Sequence, residues 1–385
     1  TGTLSFDTAT TIISPSQENS LFGQSLACGD LNHDGVDDLA VGSYGNTSLE
    51  NEAGGAYVFF GPISSGQLSE VDADTLAHGV NANDRAGYAI AIGDLNDDGV
   101  DDLTISAFNE ATNGTSAGSI YTLFGPLASG ISNLAYADNI LMGEEGDYAG
   151  WSLFIADVST DGIRDLVVGA PRNDENGVDA GRVFVVEGPI SNGSGTLELS
   201  ASTILLGEAA DDTAGEFVGA GDLDGDGFDD LFVGATQYDG GGVDRGAFYG
   251  LLSPIATGIA GLSSSDIQMV GDGDHDYLGI DASVVGDIDG DGNLDLAVSE
   301  YTDDTAGSDT GTVYVLFGPV TGGTTLSSAD VLFTGEADSD RAGERIMGAG
   351  DIDGDGVDDL LVSARYESSV EATAGAVYLV YGLGY

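Results

Sequence analysis

The chain has 385 residues, with 66 acidic side chains against 8 basic ones and a formal net charge of −58. Such a surface repels nucleic acid and anionic membrane, which argues against both as partners. A disordered acidic tail is excluded as well, because 41% of the residues are apolar and recur in short regular runs.

All the basic residues are arginine, and the acidic excess suits a protein dissolved in salty, cation-rich water. The single cysteine, Cys28, permits no internal disulfide. Its neighbours place it on a strand, where it is expected to be a small buried apolar residue. The opening residues Thr1 to Ser5 carry no signal-peptide pattern, and no apolar run approaches the ~18 residues of a membrane helix. No direct membrane insertion is expected.

In chain order, the first element is the run Asp7 to Ile13, which aligns with the later run Ala201 to Leu206. Six acidic loops follow, beginning at Asp30, Asp94, Asp157, Asp222, Asp287 and Asp351, at steps of 64, 63, 65, 65 and 64 residues. Each period also holds four short apolar runs. In the fifth they are Ile280 to Gly286, Leu294 to Ser299, Gly311 to Gly318 and Asp330 to Thr334. The runs are rich in Val, Ile, Tyr and Phe and bounded by Gly, Asn and Asp, which marks strands. Nothing of helical length shows a 3.6-residue period.

This pattern predicts an all-β fold: a six-bladed β-propeller, four antiparallel strands per blade, in a single domain over residues 1–385. The chain starts on a fourth-type run and stops after a third-type one. Residues 1–14 are therefore expected to supply the outer strand of the blade formed by 344–385, closing the ring and leaving no open edge.

Oxygen-bearing side chains stand at positions 1, 3, 5 and 9 of each loop, and a glycine at position 6 permits the tight reversal. Hard oxygen donors converging this way suit calcium. The expected donors, with the position-7 carbonyl, are Asp30, Asn32, Asp34, Val36 and Asp38 in the first loop. They are Asp94, Asn96, Asp98, Val100 and Asp102 in the second, and Asp157, Ser159, Asp161, Ile163 and Asp165 in the third. The fourth offers Asp222, Asp224, Asp226, Phe228 and Asp230. The fifth offers Asp287, Asp289, Asp291, Asn293 and Asp295, and the sixth Asp351, Asp353, Asp355, Val357 and Asp359. Up to six Ca²⁺, one per blade, are expected. Affinity rises with ligand charge, so the last three loops should bind most tightly. The third, with Ser159 and a nearby Arg164, should bind most weakly. Unlike an EF-hand loop, none of this needs a glutamate at position 12; the sixth loop runs straight into Leu360-Leu361-Val362.

These residues resemble the FG-GAP repeats of the integrin α-subunit propeller and its bacterial relatives. Phe22-Gly23 matches the first signature element. Ala86-Gly87, Ala149-Gly150, Ala214-Gly215, Leu278-Gly279 and Ala342-Gly343 keep its glycine. Gly169-Ala170-Pro171 matches the second element in full, and Gly42-Ser43, Gly234-Ala235 and Ser363-Ala364 match in part. The resemblance implies calcium in the hairpin loops between first and second strands, on one face. Integrin propellers usually have seven blades with calcium in only some, so six blades with a loop in each is a departure.

No catalytic residues are expected, and the chain is read as a non-enzyme. Gly114-Thr115-Ser116-Ala117-Gly118 matches a nucleophile-elbow pattern but sits in a loop leading to a strand. His33, His78 and His275 have no visible nucleophile partner. The face opposite the calcium loops should carry Glu144 to Tyr148 and Glu208 to Asp212, with Tyr44, Phe108, Arg172, Tyr238, Tyr301 and Tyr366 in corresponding positions. Those aromatics either pack between blades or receive a ligand; Trp151 is the first candidate contact.

The expected function is an extracellular or cell-surface adhesion or protein-binding module with structural calcium, either a monomer or part of a larger surface protein. The alternatives are a lectin-like propeller and a polysaccharide-processing enzyme.

Overall fold

Runs of β-branched and aromatic residues between glycine- and aspartate-rich turns form strands throughout. The computed structural model describes residues 11–47, 51–367 and 375–384. Among the described residues the only α-helical turn is Leu197–Ser200, joined by a few three-residue 3₁₀ turns. No described helix is long and apolar enough to cross a membrane. The chain divides into two compact units, Thr1–Ile155 with Gly188–Ser200, and Ala156–Glu187 with Ala201–Tyr385.

The first unit contains two meander sheets. One runs Phe22–Gly29, Asp38–Ser43, Gly55–Phe59, Thr75–His78, and the other Ala86–Gly93, Asp102–Ala107, Ser119–Leu123, Asn139–Met142. Each gains a fifth, parallel strand from the following repeat: Gly130–Asn133 beside Thr75–His78, and Gly193–Thr196 beside Asn139–Met142.

In the second unit, Asp165–Ala170, Arg182–Val186 and Thr203–Leu206 lie side by side with Gly258–Gly261 parallel to the last. Two four-stranded meanders follow. One is Phe217–Gly221, Asp230–Ala235, Ala247–Leu251, Ile267–Val270, and the other Ala282–Gly286, Asp295–Glu300, Thr312–Leu316, Val331–Thr334. The final sheet has three described strands, Ala342–Gly350, Asp359–Ala364 and Ala376–Val380.

The predicted runs are thus strands, but four antiparallel strands per sheet is too simple a description. The extra strands, such as Gly66–Ser69, are short and polar and give no alternating signal in sequence. Thr11–Ser14 pairs in parallel with Gly66–Ser69; residues 1–10 of the expected closing strand lie outside the described residues.

The second strands Asp102–Ala107, Asp165–Ala170, Asp230–Ala235 and Asp295–Glu300 are buried at every position. Leu103, Ile105 and Tyr121 anchor a core in the first unit; Phe232, Phe248, Leu296 and Tyr314 anchor one in the second. Each such aliphatic side chain contributes about 1.5–3 kcal/mol by burial.

Cys28 departs from expectation, because it is exposed. On its strand Ser25 donates to the Gly87 carbonyl and Ala27 packs against the core cluster that includes Ile90 of the next repeat. Side chains alternate along a strand, so Leu26 and Cys28 point the other way, and Leu26 is 64% exposed.

Candidate metal centres

Each acidic loop joins the first and second strands of a repeat and is organised from its own carboxylates. In the fifth loop, Asp287 Oδ1 accepts the Asp291 amide at 3.0 Å and Oδ2 the Gly292 amide at 2.9 Å. The position-3 carboxylate of Asp289 also accepts the Asp291 amide, at 3.0 Å. The same bonds to position 1 recur from Asp34 and Gly35, Asp98 and Gly99, Asp161 and Gly162, Asp226 and Gly227, and Asp355 and Gly356. This wrapping gathers the side-chain oxygens on the inside of the turn.

The turn requires left-handed backbone twice. Position 6 is glycine in all six loops, with φ from 85° to 95°. Position 4 is glycine in the last three loops but His33, Asp97 and Thr160 in the first three, at φ 60° to 63°. A side chain in that region is held against its preference, so the last three loops are formed at lower conformational cost.

The last three loops also bring three carboxylates together. Asp222, Asp224 and Asp230 lie with ligand atoms within 4.8 Å of one another, as do Asp287, Asp289 and Asp291, and Asp351, Asp353 and Asp355. In the first three, Asn32, Asn96 and Ser159 replace a carboxylate. An all-oxygen donor set with charge at three corners fits a hard divalent cation such as Ca²⁺.

The ninth position has a different setting from the other donors. Asp38, Asp102, Asp165, Asp230, Asp295 and Asp359 are at most 1% exposed. Asp295 Oδ2 accepts the Ile288 amide and Oδ1 the Gly318 amide, both at 2.8 Å. Burial outweighs these bonds and pushes the Asp102 carboxyl up to about 6, and moves Asp38, Asp230 and Asp295 in the same direction.

A family profile described as FG-GAP repeat matches residues 22–59, 86–123, 149–186, 214–251, 280–316 and 343–380. This chain belongs to the FG-GAP repeat family. Among similar proteins, Integrin alpha-5 of Xenopus laevis is 29% identical over 269 residues, 65% of this chain and 22% of its own length. Integrin alpha-PS2 of Drosophila melanogaster is 31% identical over 240 residues, 58% of this chain and 16% of its own. Phosphatidylinositol-glycan-specific phospholipase D of Bos taurus is 33% identical over 157 residues, 39% of this chain and 18% of its own. The chain thus spans about a fifth of the length of these curated relatives.

The opposite ends of the FG-GAP repeats carry the other expected residues. In the first unit Trp151 packs against Tyr88, Phe108 and Tyr148 with ring centroids 4.8, 5.2 and 6.4 Å away, and Tyr44 joins through Tyr88 at 5.3 Å. Phe108 is buried, while Trp151, Tyr44, Tyr88 and Tyr148 are half-buried. Beside them lies a polar cleft of about 350 Å³ lined by Asn81, Asp84, Asn109, Glu110 and Ser116. Ser116 lies in the loop before Ser119–Leu123, with its hydroxyl donated to Asn109 at 2.8 Å.

In the second unit Tyr301 contacts Tyr277 at 6.0 Å and lies under Arg341, which also covers Tyr366. Arg172 pairs with Asp179 at 2.9 Å, and Tyr238 packs on Tyr249. His78 contacts the Gly79 carbonyl and His275 the Asp244 carboxylate; His33 occupies position 4 of the first loop.

Sequence reasoning missed one acidic group. Asp272, Asp276, Glu300 and Asp303 converge within 4.8 Å, all but Asp272 buried. Glu300 accepts from the Tyr314 hydroxyl at 2.8 Å and the Asp272 amide at 3.2 Å. Burial pushes its carboxyl up to about 8 and that of Asp276 up to about 6. Glu300 ends a strand read only as apolar, so the sequence signal was limited to the acidic run Asp272 to Asp276.

Proposed function

We propose that the six FG-GAP repeats form a calcium-loaded β-propeller that serves as an extracellular protein-binding or adhesion module, with calcium in a structural role. The observation that carries this reading is the six-fold recurrence of one loop wrapped around its position-1 carboxylate, with three carboxylates converging in each of the last three copies. The residues at positions 1, 3 and 5, with the position-7 carbonyl and position 9, would hold the ion. The ion would neutralise carboxylates whose mutual repulsion opposes the turn.

Thr11–Ser14 pairs with Gly66–Ser69 in the parallel arrangement Thr75–His78 uses with Gly130–Asn133, which supports a repeated strand pattern from the first described residues onward. The likeness to integrin α chains supports the adhesion reading. The likeness to the phospholipase covers 18% of that enzyme, and the chain is proposed to act by binding rather than catalysis.

Isothermal titration of the chelator-stripped chain with Ca²⁺ tests the reading, with several sites per chain expected. A flat titration, with Ca²⁺ leaving the melting curve unmoved, would sink it. The polar cleft beside Phe108 favours a second reading, a carbohydrate ligand. Clear binding to one sugar class on a glycan array would put that reading first.

A further inference from the structure

The residue at position 8 of each loop is no expected ligand, yet in three repeats it grips the preceding loop. Asp101, of the second loop, accepts the backbone amide of Asp30, the first ligand of loop one, at 3.0 Å. Asp358, of the sixth, accepts the amide of Asp287, the first ligand of loop five, at 2.9 Å. The Asp358 amide in turn donates to the Asp287 carbonyl at 3.0 Å, so two bonds tie these residues together. Asp229, of the fourth loop, accepts a backbone bond from Asp157, the first ligand of loop three. Gly29 and Gly286, just before the first ligands, leave room for the incoming carboxylate; a Cβ on either would collide with it.

The pattern is not uniform. Position 8 is Arg164 in the third loop and Leu294 in the fifth, and neither can accept such a bond.

We propose that Asp101, Asp229 and Asp358 are positioning residues that couple the calcium loops as three pairs: one with two, three with four, five with six. The proposal rests on the reading of these loops as calcium sites. Asp358 stands between the position-7 carbonyl of Val357 and the position-9 carboxylate of Asp359. An ion in loop six fixes that segment and with it the Asp358 carboxylate. That carboxylate holds the Asp287 backbone in the orientation that turns the Asp287 side chain into loop five. Coupling of this kind is reciprocal, so filling either loop raises the affinity of the other.

The test uses the full chain and the position-6 amides as loop-specific reporters in a calcium titration followed by NMR. Gly292 donates to Asp287 in loop five, and Gly356 to Asp351 in loop six, each at 2.9 Å. In the parent, both amides should shift together. Asp358→Leu copies the residue repeat five carries at this position and should move the Gly292 midpoint to about tenfold higher calcium. Asp358→Asn keeps an acceptor without the charge and should restore part of that affinity. Asp353→Ala, an exposed change that weakens loop six, should move Gly292 in the same direction. Leu294→Asp should make loops four and five titrate together, with Gly227 reporting on loop four. An unmoved Gly292 midpoint in both Asp358→Leu and Asp353→Ala overturns the coupling while leaving calcium binding intact. If neither amide of the parent responds to calcium, the calcium reading fails and the coupling with it.

Discussion

The amide of Gly382 donates to Asp359 Oδ1 at 2.9 Å, so the ninth residue of the last loop is held by backbone from beyond the third strand of its own sheet. Gly61 holds Asp38, Gly125 holds Asp102, Ser253 holds Asp230 and Gly318 holds Asp295 in the same way. With one oxygen committed to this tie and the other to position 2, the ninth residue is a structural staple in its own right, apart from its proposed role as a ligand.

The staple and the outer ligands should therefore separate experimentally. Asp295→Ala leaves the Ile288 and Gly318 amides without their carboxylate and should cost about 2–4 kcal/mol, with or without calcium. Asp289→Ala should cost stability only when calcium is present. Urea unfolding with and without chelator distinguishes the two; equal behaviour would remove the distinction.

Calcium removal should lower the melting temperature. A site held at 100 times its Kd contributes about 2.7 kcal/mol. The loops at Asp222, Asp287 and Asp351 should fill first, because they carry a third converging carboxylate and glycine at position 4. The third loop should fill last, and Ser159→Asp should bring its affinity towards theirs. Calorimetric titration of parent and variant checks the order.

The acidic group around Glu300 predicts a pH dependence of the metal-free chain. Its folded carboxyl titrates at about 8, well above the ordinary glutamate value of 4.5. The folded state thus favours the protonated form. The resulting stability is full below about 4.5 and is lost as pH rises through about 8. Glu300→Gln should be roughly 2–4 kcal/mol more stable than the parent at pH 9 and little different at pH 4. Urea melts across that range measure it; parallel curves for parent and variant would contradict the assignment.

Trp151 separates packing from recognition. Trp151→Ala should lose about 1.5–3 kcal/mol, because the half-buried ring packs against Tyr88, Phe108 and Tyr148. Trp151→Phe should keep most of the stability. If this face receives a ligand, the Phe variant should bind it more weakly while melting near the parent temperature.

Much of this was legible in the sequence, for a physical reason. Loop chemistry and strand patterning are local: a ligand series Asp351-x-Asp353-x-Asp355-Gly356 and a run such as Val313-Tyr314-Val315 carry their geometry in a few adjacent residues. Six copies at one period then counted the repeats. The tertiary structure decided whatever depends on a neighbour distant in sequence. Cys28 is exposed because its strand turns its other face to the second repeat. Gly66–Ser69 is a strand only because Thr11–Ser14 lies beside it. Glu300 becomes only weakly acidic because folding buries it, with Asp272, Asp276 and Asp303 adding their charge beside it. Asp358, one of two adjacent aspartates in its own loop, acquires a role only where folding sets it against the Asp287 amide, 71 residues away.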